Sequence, residues 1–200
     1  MIEIWKKAKE NQEVLHFKNF QNPEIGWEEV LSYVYNESLK YNVNVHNDAK
    51  NSGAAELGNI LAWNGYFNIR DNNLFHFKGV RELLEKVNGG NSGEYCQYYS
   101  TVPGTYDPYK CNCNIPWHTQ ALRFNITHHV VPDHNDPNDV LYWQLLGTSV
   151  WQINKDKKYT LEPGDLFYFS KEDSHSVFQD GPRSGIIIDN LSEPGRRINN

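Results

Sequence analysis

The chain has 200 residues and a mass of 23.3 kDa, enough for one compact domain with little left for a second. Its 25 acidic and 19 scattered basic residues give a net charge of −6, which argues against a nucleic-acid surface and a polybasic membrane patch. The mean hydropathy of −0.71 and the absence of a long apolar run exclude a transmembrane helix.

The first residues carry no apolar segment of the kind that opens a secretory signal. The three cysteines are an odd set without a CxxC pair, and we interpret them as ordinary loop residues rather than as a disulfide framework or half of a zinc site. They are Cys96, Cys111 and Cys113. We therefore expect a cytoplasmic protein.

The first 90 or so residues have the pattern of helices joined by turns. Apolar residues recur at helical spacing from Glu24 to Tyr41, behind the start signal Asn22-Pro23. A shorter helix is predicted from Gly53 to Trp63, and a third from Gly79 to Val87, before Gly89-Gly90. The Gly-, Asn-, Tyr- and Pro-rich stretch 91–118 indicates an irregular loop that forms one wall of a site.

From Ala121 onwards, short strand-like runs alternate with turns, and the high aromatic content of 14% also favours sheet. This pattern predicts a mainly β, double-stranded β-helix (jelly roll) with an α-helical N-terminal region packed on it. We predict a single domain over 1–200, with a helical support region at about 1–90 and a barrel core at about 115–190. The predicted strands are Leu122–Thr127, Val140–Leu146, Ser149–Ile153, Asp165–Phe169, Ser174–Phe178 and Gly185–Ile188.

A candidate metal site is indicated by His134-Asn135-Asp136. Positions i and i+2 of a strand point to the same side, so this imidazole and this carboxylate would converge. His175, which follows a predicted turn and strand, is the natural third ligand. Two histidines and one carboxylate on one face of a metal leave three positions open, the arrangement suited to non-haem Fe(II) and O₂.

Two longer segments resemble JmjC-type, cupin-fold oxygenases. The family pattern runs H-x-D, two spacers, D-V and three apolar positions, then Q-x-x-G, three residues and W-x-[IL]; a later segment L-x-P-G-D is followed by a histidine eleven residues after its glycine. In this chain the corresponding residues are His134, Asp136, Asp139-Val140, Gln144, Gly147, Trp151, Ile153, Leu161, Pro163-Gly164-Asp165 and His175. Together the matches cover roughly residues 120–190.

The resemblance implies an Fe(II)- and 2-oxoglutarate-dependent oxygenase. In this family the H-x-D…H triad, here His134, Asp136 and His175, binds the iron and is catalytic. 2-Oxoglutarate chelates the metal, and O₂ then yields succinate, CO₂ and a hydroxylated substrate, commonly a protein side chain. We expect a peptide, protein or small amino-acid-like substrate and neither nucleic acid nor membrane as a partner. The helical first half is suited either to supporting the barrel or to a homodimer contact.

The distal carboxylate of 2-oxoglutarate needs a buried basic partner. In many family members a Lys or Arg stands two residues after the glycine of Q-x-x-G, where this chain has Ser149. The substitutes are Arg123 and Asn125 on the preceding strand, Arg183, and Asn190, with the two arginines favoured.

Three functions stay open at this point. Besides the oxygenase, Ser149 is compatible with a metal-binding cupin of another class, such as an isomerase or a dioxygenase that uses no oxo-acid. A non-catalytic cupin-like binding protein is the third. Trp143, Gln144 and Trp151 are interpreted as filling the barrel, and Gln144, a polar residue among apolar neighbours, needs a buried partner.

Overall fold

The computed structural model of the chain describes residues 1–32, 78–91, 116–125 and 129–190, together with the backbone of three short strands at 44–46, 53–54 and 66–69. Helix α1 spans Ile2–Glu10, residues 27–32 are helical, and helix α2 spans Val80–Val87. The strands are β1 (Leu15–Phe17), β2 (Asn44–His46), β3 (Gly53–Ala54), β4 (Tyr66–Ile69), β5 (Trp117–Asn125), β6 (His129–His134), β7 (Val140–Leu146), β8 (Ser149–Ile153), β9 (Lys157–Leu161), β10 (Leu166–Phe169), β11 (His175–Gln179) and β12 (Arg183–Asn190).

These strands form two antiparallel sheets that face each other. The larger sheet has the order β1-β10-β7-β12-β5-β4-β2-β3, and the smaller has the order β6-β11-β8-β9. One apolar cluster draws on both sheets, including Tyr142 and Ile187 from the larger and Trp151 and Val177 from the smaller. The two inner faces therefore enclose a common core, and the predicted double-stranded β-helix is confirmed.

Alternation along the strands separates the barrel interior from the outer face of the larger sheet. On β7, Tyr142 packs into the interior cluster, whereas Leu141, Trp143 and Leu145 belong to a second cluster that also contains α1 and α2 residues. Trp143 was predicted to fill the barrel, and that interpretation is wrong: its indole N–H donates to the Gln21 carbonyl at 3.1 Å. The odd-numbered residues of β7 face the N-terminal region.

The N-terminal region is fixed to the larger sheet through tryptophans. The Trp5 indole donates to the Val87 carbonyl at 3.1 Å and lies edge-on to Trp117, with ring centroids 5.9 Å apart. The Asn88 side chain exchanges two hydrogen bonds of 3.0 Å with the backbone of Trp117. The helical region thus packs on the barrel, as predicted.

The N-terminal region is less helical than its pattern predicted. Its strands β1 to β4 join the larger sheet, where β1 pairs with β10 and β4 pairs with β5. Gly53–Ala54 is a strand where a helix was predicted to begin, and 55–63 lie outside the described residues, as do 33–41 of the longer predicted helix and most of the loop 91–118. Strands of two to four residues are too short for their alternation to be recognised in sequence.

Candidate metal centre

Three potential metal ligands meet at one end of the barrel. One ligand atom from each of His134, Asp136 and His175 lies within 4.8 Å of the other two. An Asp136 carboxylate oxygen lies 3.9 Å from His134 Nε2, and the other lies 3.6 Å from His175 Nε2. These separations are too long for hydrogen bonds. They are within the range open to two ligands that share one ion at about 2.0–2.2 Å each.

The two imidazoles present the same nitrogen to the centre. His134 Nδ1 lies 2.8 Å from the Pro132 carbonyl, and His175 Nδ1 lies 3.5 Å from the Asp173 carbonyl. A carbonyl can only accept, so Nδ1 is the donor in each ring and Nε2 is the nitrogen that points towards Asp136. Backbone carbonyls behind metal-ligating histidines commonly fix the tautomer in this way.

His175 is neutral at physiological pH. Burial lowers its pKa to about 4; the nearby Asp136 carboxylate acts in the opposite direction, and the charges of His134 and Arg123 add to the lowering. The imidazole is enclosed by Trp151, stacked at 5.7 Å, and by Phe169, at 4.4 Å between ring centroids. A neutral, dehydrated imidazole is the form that binds a metal ion.

The turn after β6 places Asp136. The strand ends at His134, so the predicted strand alternation does not bring the two side chains together. Asn135 instead donates to the Lys171 carbonyl at 3.2 Å, and Asp139 accepts the Lys171 N–H at 3.1 Å. These two bonds tie the turn to the segment just before His175. That segment is a polar turn, in which Asp173 accepts from the backbone N–H and the hydroxyl of Ser170.

Ser149 is fully engaged by its neighbours. Its hydroxyl donates to Gln144 Oε1 at 2.8 Å and accepts from the Trp151 indole at 3.0 Å. Gln144 also donates to the carbonyls of Leu146 and Gly147, so its predicted need for a buried partner is met. The Ser149 hydroxyl is therefore used by two buried side chains, Gln144 and Trp151, and it supplies no positive charge for a carboxylate.

Arg183 is the basic residue buried deepest in the described part of the barrel. It begins β12 and is 1% exposed, and its Nε and Nη1 have no hydrogen-bond partner. Burial lowers its pKa to about 10; Tyr142 acts in the opposite direction and Arg123 adds to the lowering. The guanidinium therefore stays charged at neutral pH. A buried cation with two unmet donors has the chemistry of a carboxylate-binding site.

The other predicted pocket residues take different positions. On β5, Leu122 and Phe124 face the N-terminal region. Arg123 and Asn125 alternate with them and therefore point into the barrel. Asn125 lies directly opposite Arg183. Asn190 ends β12 seven residues from Arg183, about 23 Å along the strand, and its backbone N–H donates to the Asp139 carbonyl at 2.9 Å.

Sequence reasoning missed Tyr142. Its hydroxyl is buried without a hydrogen-bond partner, as are the two Arg183 nitrogens. A Cβ at residue 185 would collide with that hydroxyl. Because residue 185 is glycine, the Tyr142 ring can occupy the space above β12. Strand alternation could have identified it, because Tyr142 is two residues before Gln144 and therefore lies on the same, interior face of β7.

The fold and these side chains define a double-stranded β-helix (jelly roll) with a candidate metal centre at one end. No family model and no curated protein matches the sequence. Among solved structures, the ribosomal oxygenase YcfD from Escherichia coli matches with a TM-score of 0.60 and 16% identity, over 96% of this chain and 52% of YcfD. YcfD in complex with cobalt and 2-oxoglutarate matches with a TM-score of 0.56 and 15% identity, over 97% of this chain and 52% of that one.

This likeness concerns the fold, and the chain spans about half the length of YcfD. A cupin superfamily protein from Desulfitobacterium hafniense also matches, at 20% identity over 40% of this chain and 72% of its own, with a TM-score of 0.34. Within the described residues, no helix is long and apolar enough to cross a membrane.

Proposed function

We propose that this protein is an Fe(II)- and 2-oxoglutarate-dependent oxygenase that hydroxylates a peptide side chain or a small amino-acid-like substrate. The observation that carries the proposal is the pairing of two features inside one barrel. One is the His134, Asp136 and His175 group, and the other is the buried, partly unpartnered guanidinium of Arg183. YcfD is named a ribosomal oxygenase and has been observed with cobalt and 2-oxoglutarate, which supports the same class.

The donor set fits Fe(II). Two imidazole nitrogens and one carboxylate oxygen on one side of an ion leave positions open for a chelating oxo-acid and for O₂. When bound, Fe(II) would supply the activation of O₂, one atom of which goes to succinate as 2-oxoglutarate loses CO₂ and the other to the substrate C–H bond. The protein's own part is to hold and orient these reactants.

The distal carboxylate of the oxo-acid would bind in the barrel interior. Arg183 offers Nε and Nη1, and the Tyr142 hydroxyl offers a further donor. Arg123 lies opposite Gly185 in the β5–β12 pair, and its charge adds to the lowering of the pKa of both His175 and Arg183, which supports a position near both groups. A dicarboxylate that reaches from the metal inwards would neutralise buried positive charge on its way.

The two ends of the site differ in exposure. His175 is 2% exposed, whereas the His134 and Asp136 side chains are 36% and 31% exposed. A substrate can therefore approach from the His134 side, while the walls formed by Trp151, Phe167 and Phe169 keep water from the inner side.

The test is anaerobic calorimetric titration of 2-oxoglutarate into protein loaded with Mn(II), beside His134→Ala. Micromolar binding that requires the metal and is lost in His134→Ala is expected, followed by Fe(II)- and O₂-dependent release of succinate. Retention of the metal without any affinity for 2-oxoglutarate would overturn the proposal and favour a cupin of another class. Binding of 2-oxoglutarate without O₂ consumption would indicate a non-catalytic binding protein.

A further inference from the structure

The two histidines of the candidate metal centre are held in different ways. His134 has a short hydrogen bond of 2.8 Å behind its ring, whereas the corresponding contact of His175 is 3.5 Å long. His175 is packed between aromatic rings instead, with Trp151 stacked at an interplanar angle of 27°. The orientation of the His175 ring therefore depends on what fixes Trp151.

Trp151 is fixed by a hydrogen-bond network that begins at the β7–β8 turn. Gln144 Nε2 donates to the Leu146 and Gly147 carbonyls at 2.8 and 3.0 Å, and Gln144 Oε1 accepts the Ser149 hydroxyl at 2.8 Å. The Ser149 oxygen then accepts the Trp151 indole N–H at 3.0 Å. Gln144, Ser149 and Trp151 are each at most 2% exposed, so the two bonds that join these side chains lie out of water.

We infer that Ser149 is a positioning residue for the metal ligand His175 and acts on it through the Trp151 indole. The inference rests on the proposed function only in assuming that His175 binds a metal. It also explains why a small hydroxyl residue stands at this point of β8. A lysine or arginine has no acceptor for the indole N–H. Its longer side chain would also displace Trp151 from this closely packed space.

The test uses Co(II) alone as the probe, with its affinity and its visible absorption spectrum as readouts. Ser149→Ala removes both hydrogen bonds of the hydroxyl. Loss of a partner behind a metal ligand typically costs about 10- to 100-fold in metal affinity. We expect a loss of about 10-fold and a shifted Co(II) spectrum, and we expect Ser149→Thr, which keeps the hydroxyl, to restore both.

Leu145→Ala is the matched control. Leu145 is fully buried on β7 but faces the N-terminal region, so this variant should lower the unfolding temperature and leave Co(II) affinity and spectrum unchanged. Trp151→Phe keeps a ring beside His175 and loses the indole N–H, and it serves as the second test if Ser149→Ala does not fold.

Three results would count against the inference. A folded Ser149→Ala with wild-type Co(II) affinity and spectrum overturns the positioning role and leaves the proposed function intact. Equal losses of Co(II) affinity in Ser149→Ala and Leu145→Ala reduce the effect to general destabilisation and also overturn it. Failure of the wild-type protein to bind Co(II) overturns the metal site itself, and the inference with it.

Discussion

His134 and His175 lie directly opposite each other in the antiparallel pairing of β6 and β11, with ring centroids 4.3 Å apart. The two residues are 41 positions apart in the chain, yet one strand pair sets their spacing. Ile153 on β8 pairs with His175 from the other side, so the histidine is held between two strands. Two of the three candidate metal ligands are therefore positioned by strand pairing in the small sheet, and the third, Asp136, comes from the turn after β6.

Asp136→Asn should abolish metal binding with little effect on the fold. The amide is almost the same shape but is a far weaker ligand than a carboxylate, so the loss of Co(II) or Fe(II) affinity should exceed the roughly 100-fold typical of partners outside the ligand set. Asp136 is partly exposed, so the metal-free free energy of unfolding should change by less than about 0.5 kcal/mol. Asp133→Asn, an exposed carboxylate paired with Lys155, is the control and should bind metal normally.

Tyr142→Phe should weaken 2-oxoglutarate binding and leave metal binding unchanged. A hydrogen bond to a charged group contributes about 1.5–3 kcal/mol, which corresponds to a roughly 10- to 100-fold rise in Kd. Pyruvate, which has no distal carboxylate, should bind wild type and Tyr142→Phe equally. Tyr168→Phe removes another buried, unpartnered hydroxyl, one that faces the N-terminal region, and should have no effect. Equal weakening by both variants would contradict the assignment.

Asp165 should make the fold sensitive to acid. Burial acts to raise its pKa, but hydrogen bonds from the Asn19 and Glu162 N–H groups and from His16 outweigh this and hold the pKa below its usual 3.8. Because the pKa of Asp165 is lower in the folded than in the unfolded state, the carboxylate stabilises the fold at pH values above 3.8. This stabilisation is lost as the pH falls through the pKa of the folded state.

Asp165→Asn should therefore lower the free energy of unfolding by about 1–3 kcal/mol at pH 7. The difference from wild type should persist to pH 5 and shrink below about pH 4. Urea unfolding of both proteins across this range measures it. Asp156→Asn, an exposed carboxylate, should show no such difference, and a gap that is independent of pH would argue against the role of Asp165.

Gly185→Ala should destabilise the barrel. A methyl group there would meet the Tyr142 ring and hydroxyl and the Trp143 carbonyl, and overpacking of this kind typically costs about 1–3 kcal/mol. Denaturant unfolding measures the loss. Gly26→Ala is the comparison, because its added Cβ would meet only the terminal oxygen of the Glu29 side chain. Equal stabilities of the two variants would show that the space over β12 is not occupied as described.

The strands of the barrel that lie close in sequence to clear turns could be predicted well. Val140–Leu146 and Ser149–Ile153 are found with the predicted bounds, because apolar alternation and the punctuating Gly147 are local signals. Strands β6 and β9 were not predicted. Their residues are mostly polar or partly exposed, and only pairing with β11 and β8 makes them strands.

The sequence by itself determined the jelly-roll class and the three candidate ligands, since the spacing of His134, Asp136 and His175 and the alternation of the strands are written along the chain. The tertiary structure alone decided which arginine lies buried with two unpaired nitrogens, that the Ser149 hydroxyl accepts the Trp151 N–H, and that the Tyr142 hydroxyl lies over Gly185. These relationships join residues on different strands, and their direction depends on register and on the face of each sheet. If one strand of a pair were shifted by one residue against its neighbour, the same side chains would point out of the barrel.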